Sequence, residues 1–396
     1  MNVFFIPSWY PTSDFPTVGI FLKEQVELLA KEKPEWNIGV SLWGSHEPSL
    51  WLKANSPLQS LIRLTSKFPI KPFDKQLSQN CAEIFHPAFT WSRKIERGNI
   101  EGIIEANRKN LKRFEKHFGK VDIIHAHVAY PAGMIARQLS AEFQIPFVIT
   151  EHMSPFPLPS FKNDFHKTLI PSLQEAIAVI SVSESLQSEL TKSAIESLVI
   201  PNLIDIERFF PQKVDHAIPQ ILAVGRLEKQ KGFDLLIGAL AKLKELEWQL
   251  SIVGEGQERT KLISLIQKNG LENRIELMGN LSREDVVSEM QQCDFFVLSS
   301  RYESFGMVVA EAMACGKPAV FTKCGGVTDV LDDSVGISSE IKVGALSQRL
   351  EQMLRGYKDY EPEVIREFVV KRFAPDVVSN QLENIYQDVI SSFQKV

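Results

Sequence analysis

The chain has 396 residues, 44% of them hydrophobic and 23% charged, with a formal net charge of -5. That length is more than one hydrophobic core usually fills, so two domains are expected, and the composition excludes wholesale disorder and a membrane-embedded body. The acidic balance, without a basic sheet studded with aromatics, leaves no nucleic-acid footprint.

Residues 2–6 form a short apolar run that ends in a Pro-Ser-Trp-Tyr-Pro turn, and a helical pattern follows over 20–31. Apolar runs at 38–43, 121–125, 146–150 and 176–181 alternate with helix-period stretches at 101–118 and 132–143. Near-continuous apolar strands separated by helices predict a parallel sheet covered on both faces. Between 44 and 87 the regular signals fade under five prolines. There Trp51, Leu52, Leu58, Leu61, Ile62, Leu64 and Phe68 lie among Lys53, Arg63, Lys67 and Lys71, so a helix would have an apolar and a basic side. Residues 53–120 carry 14 Lys and Arg against 6 Asp and Glu, a local charge of +8 that leaves -13 for the rest. Residues 51–120 are therefore a candidate peripheral contact with an anionic membrane; a solvated basic face or an insertion packed on the domain explains them as well.

A second series begins after Pro201, with apolar runs at 220–224, 249–253, 274–278, 295–299 and 319–322, each followed by a helical pattern. The first domain is thus expected over 1–200 and the second over 201–375, with an amphipathic tail at 376–396 able to pack back on the first. Cys81, Cys293, Cys315 and Cys324 lack CxxC spacing, and no run of about 18 apolar residues occurs. A reducing, cytoplasmic setting without a membrane span is the expectation.

The sharpest constellation is Glu303-Ser304-Phe305-Gly306-Met307-Val308-Val309-Ala310-Glu311, which leaves the run at 295–299 and is predicted to enter a helix near Ser304. Ligands of open parallel sheets collect outside the carboxyl ends of strands, and a helix amino end there offers free N–H groups to a phosphate. Eight helical residues would set the two acids about 12 Å apart, close to the span of a sugar, a diphosphate and a ribose. Glu311 is the only charge between Phe305 and Cys315, so a ligand hydroxyl or an internal donor must satisfy it. Glu303 is either a ligand group or a solvated loop acid.

Gly225-Arg226-Leu227-Glu228-Lys229-Gln230-Lys231-Gly232 leaves the first strand of the second half. Arg226 supplies a planar fork and Lys231 a point charge, suited to a diphosphate whose charge grows as a bond to it breaks; Lys229 is the competing cation. In Val253-Gly254-Glu255-Gly256 the glycines either admit a nucleotide base or make a tight turn, and the same choice applies to Gly325-Gly326-Val327. No DxD pattern lies near, and a helix dipole with two cations can stand in for a metal, so neither metal nor cofactor is expected. No GxGxxG opens a first helix, which disfavours a dinucleotide oxidoreductase.

Residues 200–335 resemble the nucleotide-sugar domain of glycosyltransferase family 4, a retaining family of GT-B fold, through GRLEKQKG at 225–232, VGEG at 253–256, the two acids framing ESFGMVVAE, GKPAV at 316–320 and GGV at 325–327. The first half fits more loosely, through Val18-Gly19-Ile20-Phe21, His125-Ala126-His127, Thr150-Glu151-His152 and Pro201-Asn202. The resemblance implies an α/β architecture of two Rossmann-like domains with parallel sheets facing across a cleft. It implies that Arg226 and Lys231 bind the donor diphosphate, Glu303 the hydroxyls of the transferred sugar and Glu311 the ribose. Backbone around Ser304, Phe305, Gly306 and Met307 would complete the phosphate cradle, with Gly19, Gly225 and Gly254 close to the donor and His152 beside the reacting carbon. His125, His127 and Asn202 are left as acceptor contacts or supporting groups. The chain departs from the family at Val18, where a second glycine is frequent, and at Thr328-Asp329, where GGxPE is frequent.

The implied reaction is transfer with retention from a nucleotide-diphosphate-sugar to a glycan or lipid-linked acceptor. The acceptor hydroxyl attacks the face the diphosphate leaves, and its proton passes to a phosphate oxygen. The rival readings are a nucleotide-sugar epimerase of similar architecture and a non-catalytic subunit that only binds nucleotide-sugar. The second is disfavoured because such a subunit has no need to hold these acids and cations.

Overall fold

The computed structural model describes residues 1–52, 56–67, 69–91, 99–157, 163–331 and 334–394. Lys53 and Phe68 of the amphipathic stretch lie outside these residues, as do the side chains of Leu52 and Lys67. The chain divides into two compact units. One holds Met1–Ser181, Leu190–Ile200 and Ser379–Val396, the other Val182–Glu189 and Pro201–Val378.

The first unit is built on eight strands in the order Leu198–Val199, Ala178–Ser181, Phe147–Glu151, Ile123–His127, Asn2–Pro7, Asn37–Leu42, Cys81–Phe85 and Phe73–Ser78. Every pairing is parallel except the last, where Phe73–Ser78 runs antiparallel to Cys81–Phe85. Val3, Phe4 and Ile6 are fully buried, as apolar residues on both faces of a covered parallel strand must be. The helix Ile100–Phe118 starts where Asn99 accepts a hydrogen bond from Gly102 N–H and ends at Gly119. Its buried Asn107 and Asn110 join Ser41 and the carbonyl of Leu42, and Phe114 meets Phe4 edge to face, so polar and apolar contacts fix the same helix on the sheet. The helix Pro375–Phe393 brings Tyr386, fully buried, against Trp36 and onto His125 Nδ1 at 2.5 Å, while Glu383 pairs with Lys33.

The second unit has six parallel strands in the order Ile275–Gly279, Gln249–Val253, Gln220–Val224, Phe295–Leu298, Ala319–Thr322 and Gly336–Ser339. Numbered within the unit, that is 3-2-1-4-5-6, the doubly wound order, whose switch point lies between the first strand and the fourth. Its core gathers Trp248, Leu250, Phe295, Leu346 and Met353, with Trp248 Nε1 donating to the carbonyl of Leu243. Ser282 caps the helix Arg283–Gln292 by accepting from Asp285 N–H.

The stretch 44–87, where sequence signals fade, holds two strands of the sheet and the helix Pro57–Lys67. Cys81–Phe85 was hidden by Glu83 in its middle; that buried acid accepts from the Tyr10 hydroxyl at 2.8 Å and pairs with Lys75. On Pro57–Lys67, Leu58, Leu61 and Ile62 are 75%, 56% and 67% exposed, so these three side chains are not packed on the domain, while Leu64 is half-buried. No helix among the described residues is long and apolar enough to cross a membrane.

Candidate active site

At the switch point of the second unit, the loop after Gln220–Val224 and the loop after Phe295–Leu298 lie side by side. The turn Lys229–Lys231 closes at Gly232, whose φ of 65° is left-handed and whose missing Cβ would stand 2.0 Å from the carbonyl oxygen of Ser299. This close approach brings Lys231 Nζ to Glu303 Oε1 at 2.5 Å, and Ser300 Oγ donates to the same oxygen at 2.7 Å. Glu303 is buried, with its N–H on the carbonyl of Cys324 and its own carbonyl receiving Gly326 N–H. It is therefore a paired interior carboxylate, and the solvated loop acid is ruled out.

The other cation of the loop is placed differently. Arg226 is largely exposed and pairs with Glu228 at 2.7 Å. Lys229 pairs with Asp234 at 2.6 Å. The glycines have internal reasons: a Cβ at Gly225 would press on the Lys231 side chain, and one at Gly254 would meet the carbonyl oxygen of Gly225 at 2.0 Å. Gly326 lies against the carbonyl of Ser304 in the same way, with 1.9 Å to an added Cβ. Close packing explains these three positions without a ligand.

The helix carrying Glu311 runs Met307–Ala314, with Gly306 at its amino end in the left-handed region at φ 90°. It does not begin near Ser304 as the sequence suggested, because the left-handed Gly306 keeps 303–306 outside the helix, so the spacing of about 12 Å for eight helical residues does not apply. Phe305 is buried edge to face against Phe373, so only its backbone is available to a ligand. Glu311, also buried, is held by Arg283 through Nη2 at 2.5 Å and Nη1 at 3.2 Å, with that guanidinium over the Phe209 ring. Arg283 is the internal donor that Glu311 required. Nothing in the sequence singles it out, since it lies 28 residues upstream on another helix.

In the first unit, alternation along Ile123–His127 does place both imidazoles together, and they stack at 4.3 Å. His125 is fully enclosed, its Nδ1 on Tyr386 and its Nε2 on Thr150 Oγ1, which leaves it the supporting role and removes acceptor contact. His127 Nδ1 meets His152 Nε2 at 3.0 Å, while its Nε2 has no partner among the described residues. His152 follows the strand Phe147–Glu151 and also touches the edge of Phe21. Burial lowers His125 and His152 to about 3 and His127 well below its usual value, so these rings are neutral near pH 7. Gly19, at φ 70°, opens the helix Ile20–Glu32 with no room for a Cβ beside the backbone of Trp9. Asn202 belongs to the second unit and is buried.

Sequence reasoning quoted Glu151 within Thr150-Glu151-His152 but gave it no role. Its carboxylate is fully buried and accepts from the backbone N–H groups of Ala129, His152 and Met153 at 2.8 to 2.9 Å. Burial pushes it up to about 7 against the pull of those three donors. It fixes the backbone of His152 and of the segment after His127 together. Among the described residues no three His, Cys, Asp or Glu side chains are grouped to hold a metal ion.

A profile described as "Glycosyltransferase Family 4" matches residues 71–208, and one described as "Glycosyl transferases group 1" matches residues 205–364. An uncharacterised glycosyltransferase of Methanocaldococcus jannaschii is 33% identical over 217 residues, 54% of this chain and 59% of its own length. The N-acetyl-alpha-D-glucosaminyl L-malate synthase of Bacillus anthracis is 26% identical over 347 residues, 82% of each chain. The Anabaena HepE protein, solved in complex with UDP, superposes with a TM-score of 0.73 at 20% identity, covering 98% of this chain and 100% of its own. That likeness shows the fold: two α/β units on parallel sheets, the GT-B architecture.

The buried histidines make the first unit acid-sensitive. Each has a folded pKa below its unfolded value near 6.5, so its contribution is complete above 6.5 and is lost as pH falls toward 3. Glu151 acts oppositely between its unfolded value and about 7, but is one group against the three stacked imidazoles and the buried His46, whose value burial lowers to about 3. The urea midpoint of this unit is expected to fall between pH 7 and 5, with a loss of about 2 kcal/mol or more in unfolding free energy and a shallower slope in His127→Gln. A midpoint that stays level or rises on acidification contradicts this.

Proposed function

The chain belongs to glycosyltransferase family 4, and from that premise we propose that it moves a hexose, with retention, from a nucleotide-diphosphate donor to a hydroxyl of a glycan or lipid-linked acceptor. The observation that carries the reading is the Lys231–Glu303 pair at the switch point, next to the amino end of Met307–Ala314. A diphosphate there receives the free N–H groups of the first helical turn, and it draws the Lys231 ammonium away from Glu303. Glu303, released, accepts hydroxyls of the transferred sugar. Arg226 exchanges Glu228 for phosphate, and Glu311 accepts from the ribose beside Arg283, since a bidentate fork uses one lone pair on each carboxylate oxygen. In the first unit His152 is the neutral group that touches the sugar, with Glu151, His127 and His125 holding it in place.

No enzyme nucleophile is needed. The leaving diphosphate is neutralised by Lys231, Arg226 and the helix end, and the acceptor proton passes to a phosphate oxygen as the new glycosidic bond forms. The same groups supply the charge that a divalent ion supplies elsewhere, so the reaction is proposed to run without metal. The exposed Leu58, Leu61 and Ile62, inside the strongly basic stretch, suit contact with an anionic membrane that bears a lipid-linked acceptor, from the cytoplasmic side.

With a panel of nucleotide-sugars, Lys231→Ala and Glu303→Ala are each expected to lower kcat by about 100-fold, and EDTA to leave the wild type unchanged. Wild-type turnover in both variants would remove the assignment, and inhibition by EDTA would remove metal independence. Leu61→Asp with Ile62→Asp is expected to abolish cosedimentation with phosphatidylglycerol vesicles at unchanged transfer to a soluble acceptor; equal cosedimentation contradicts the membrane contact.

A further inference from the structure

The turn that carries Lys231 is fastened to the strand end that carries Glu303 by more than their ion pair, and Arg301 does most of the fastening. Its backbone N–H donates to the carbonyl of Gln230 at 2.7 Å, and its Nη1 donates to the carbonyl of Lys229 at 2.6 Å. Nη1 and Nη2 also take the two carboxylate oxygens of Asp234 at 2.9 Å each. Asp234 lies in the first turn of the helix Phe233–Leu240, immediately after Gly232, and also receives Lys229 Nζ. Gln230 Nε2 donates to the carbonyl of Tyr302, and Ser299 Oγ to the carbonyl of Lys231. The guanidinium therefore holds a carbonyl inside the turn and the acid just beyond it at the same time.

This arrangement has two consequences. The Lys229 ammonium is committed to Asp234, which separates it from the neighbouring cation that points at Glu303. And the Lys231 side chain is a flexible four-carbon stem, so where its charge arrives depends on how firmly its backbone is held. Only a planar fork can bridge a carbonyl and a carboxylate in this way; a lysine at 301 could pair with Asp234 while losing the second carboxylate bond or the carbonyl of Lys229.

We propose that Arg301, acting through Asp234 and the carbonyl of Lys229, is a positioning residue for transfer: it locks the 229–232 turn in the geometry that delivers Lys231 to the leaving diphosphate. The proposal rests on Lys231 being the phosphate cation. Misplacing a charge-stabilising group by about 1 Å can cost on the order of 100-fold in rate, so loss of the lock should be visible in turnover while donor affinity changes less.

The test is a double-mutant cycle on Arg301→Ala and Lys231→Ala, with Arg301→Lys and amide hydrogen exchange of residues 229–232 measured in parallel. Arg301→Ala is expected to lower kcat about 10-fold with a smaller rise in donor KM, to recover in part as Arg301→Lys, and to cost less than about twofold when Lys231 is already alanine. Exchange at 229–232 should quicken in Arg301→Ala without a fall in Tm. Equal losses in both backgrounds, no loss at all, or unchanged exchange would overturn the proposal. Full activity in Lys231→Ala would sink the phosphate assignment and the lock with it. If the wild type showed no transfer, the functional reading would fail separately, and exchange alone would decide whether Arg301 holds the turn.

Discussion

A carboxylate taken out of water must be neutralised where it lies, and the second unit buries two of them within one short segment. Glu303 is met by Lys231 and Glu311 by Arg283. The two solutions differ in kind. An ammonium on a flexible stem makes one strong contact and can be drawn off by a stronger anion, whereas a guanidinium with both arms on one carboxylate and its face on an aromatic ring is held in place. One acid thus has a releasable partner and the other a fixed one. In the proposed reaction a diphosphate competes for the first and leaves the second as a rigid acceptor for hydroxyls.

That difference depends on backbone geometry. The doubly wound order sets the ends of the first and fourth strands next to each other, and glycines at 232, 254 and 326 let neighbouring loops approach closer than any side chain permits. The first unit has the same kind of junction: Ser8 N–H meets the carbonyl of His127, and Ser8 Oγ accepts from Ala132 N–H. There the buried groups are neutral imidazoles, and the buried Glu151 accepts from backbone N–H groups. The two junctions therefore offer different chemistry, a charged pair in one and neutral hydrogen bonding in the other.

The strands of both sheets were largely legible because a parallel strand covered on both faces is written as a near-continuous apolar run, as in 220–224 and 249–253. Cys81–Phe85 was not, because Glu83 interrupts its run and its partners Tyr10 and Lys75 are distant in sequence or on an unrecognised strand. Lys231 and Glu303 were legible from loop position, but not the ion pair that joins them. The roles of Arg283, Arg301 and Glu151 escaped notice for one reason: each acts on a partner chosen by tertiary packing, and an arginine or glutamate beside a helix start or strand end does not announce that partner locally. The start of the helix at Met307 was misplaced because a left-handed glycine cannot be told in advance from a helical one.

The central claim is that Lys231 and Glu303 form a pair which a nucleoside diphosphate divides. Calorimetric affinity for free nucleoside diphosphate, with UDP, ADP and GDP titrated in turn, tests it without needing the acceptor or the sugar. Because the competing carboxylate is gone, Glu303→Gln should bind the preferred diphosphate at least as tightly as the wild type, and Lys231→Met should bind it about 10-fold or more weakly. Equal weakening by both substitutions, or no change from either, would contradict the account.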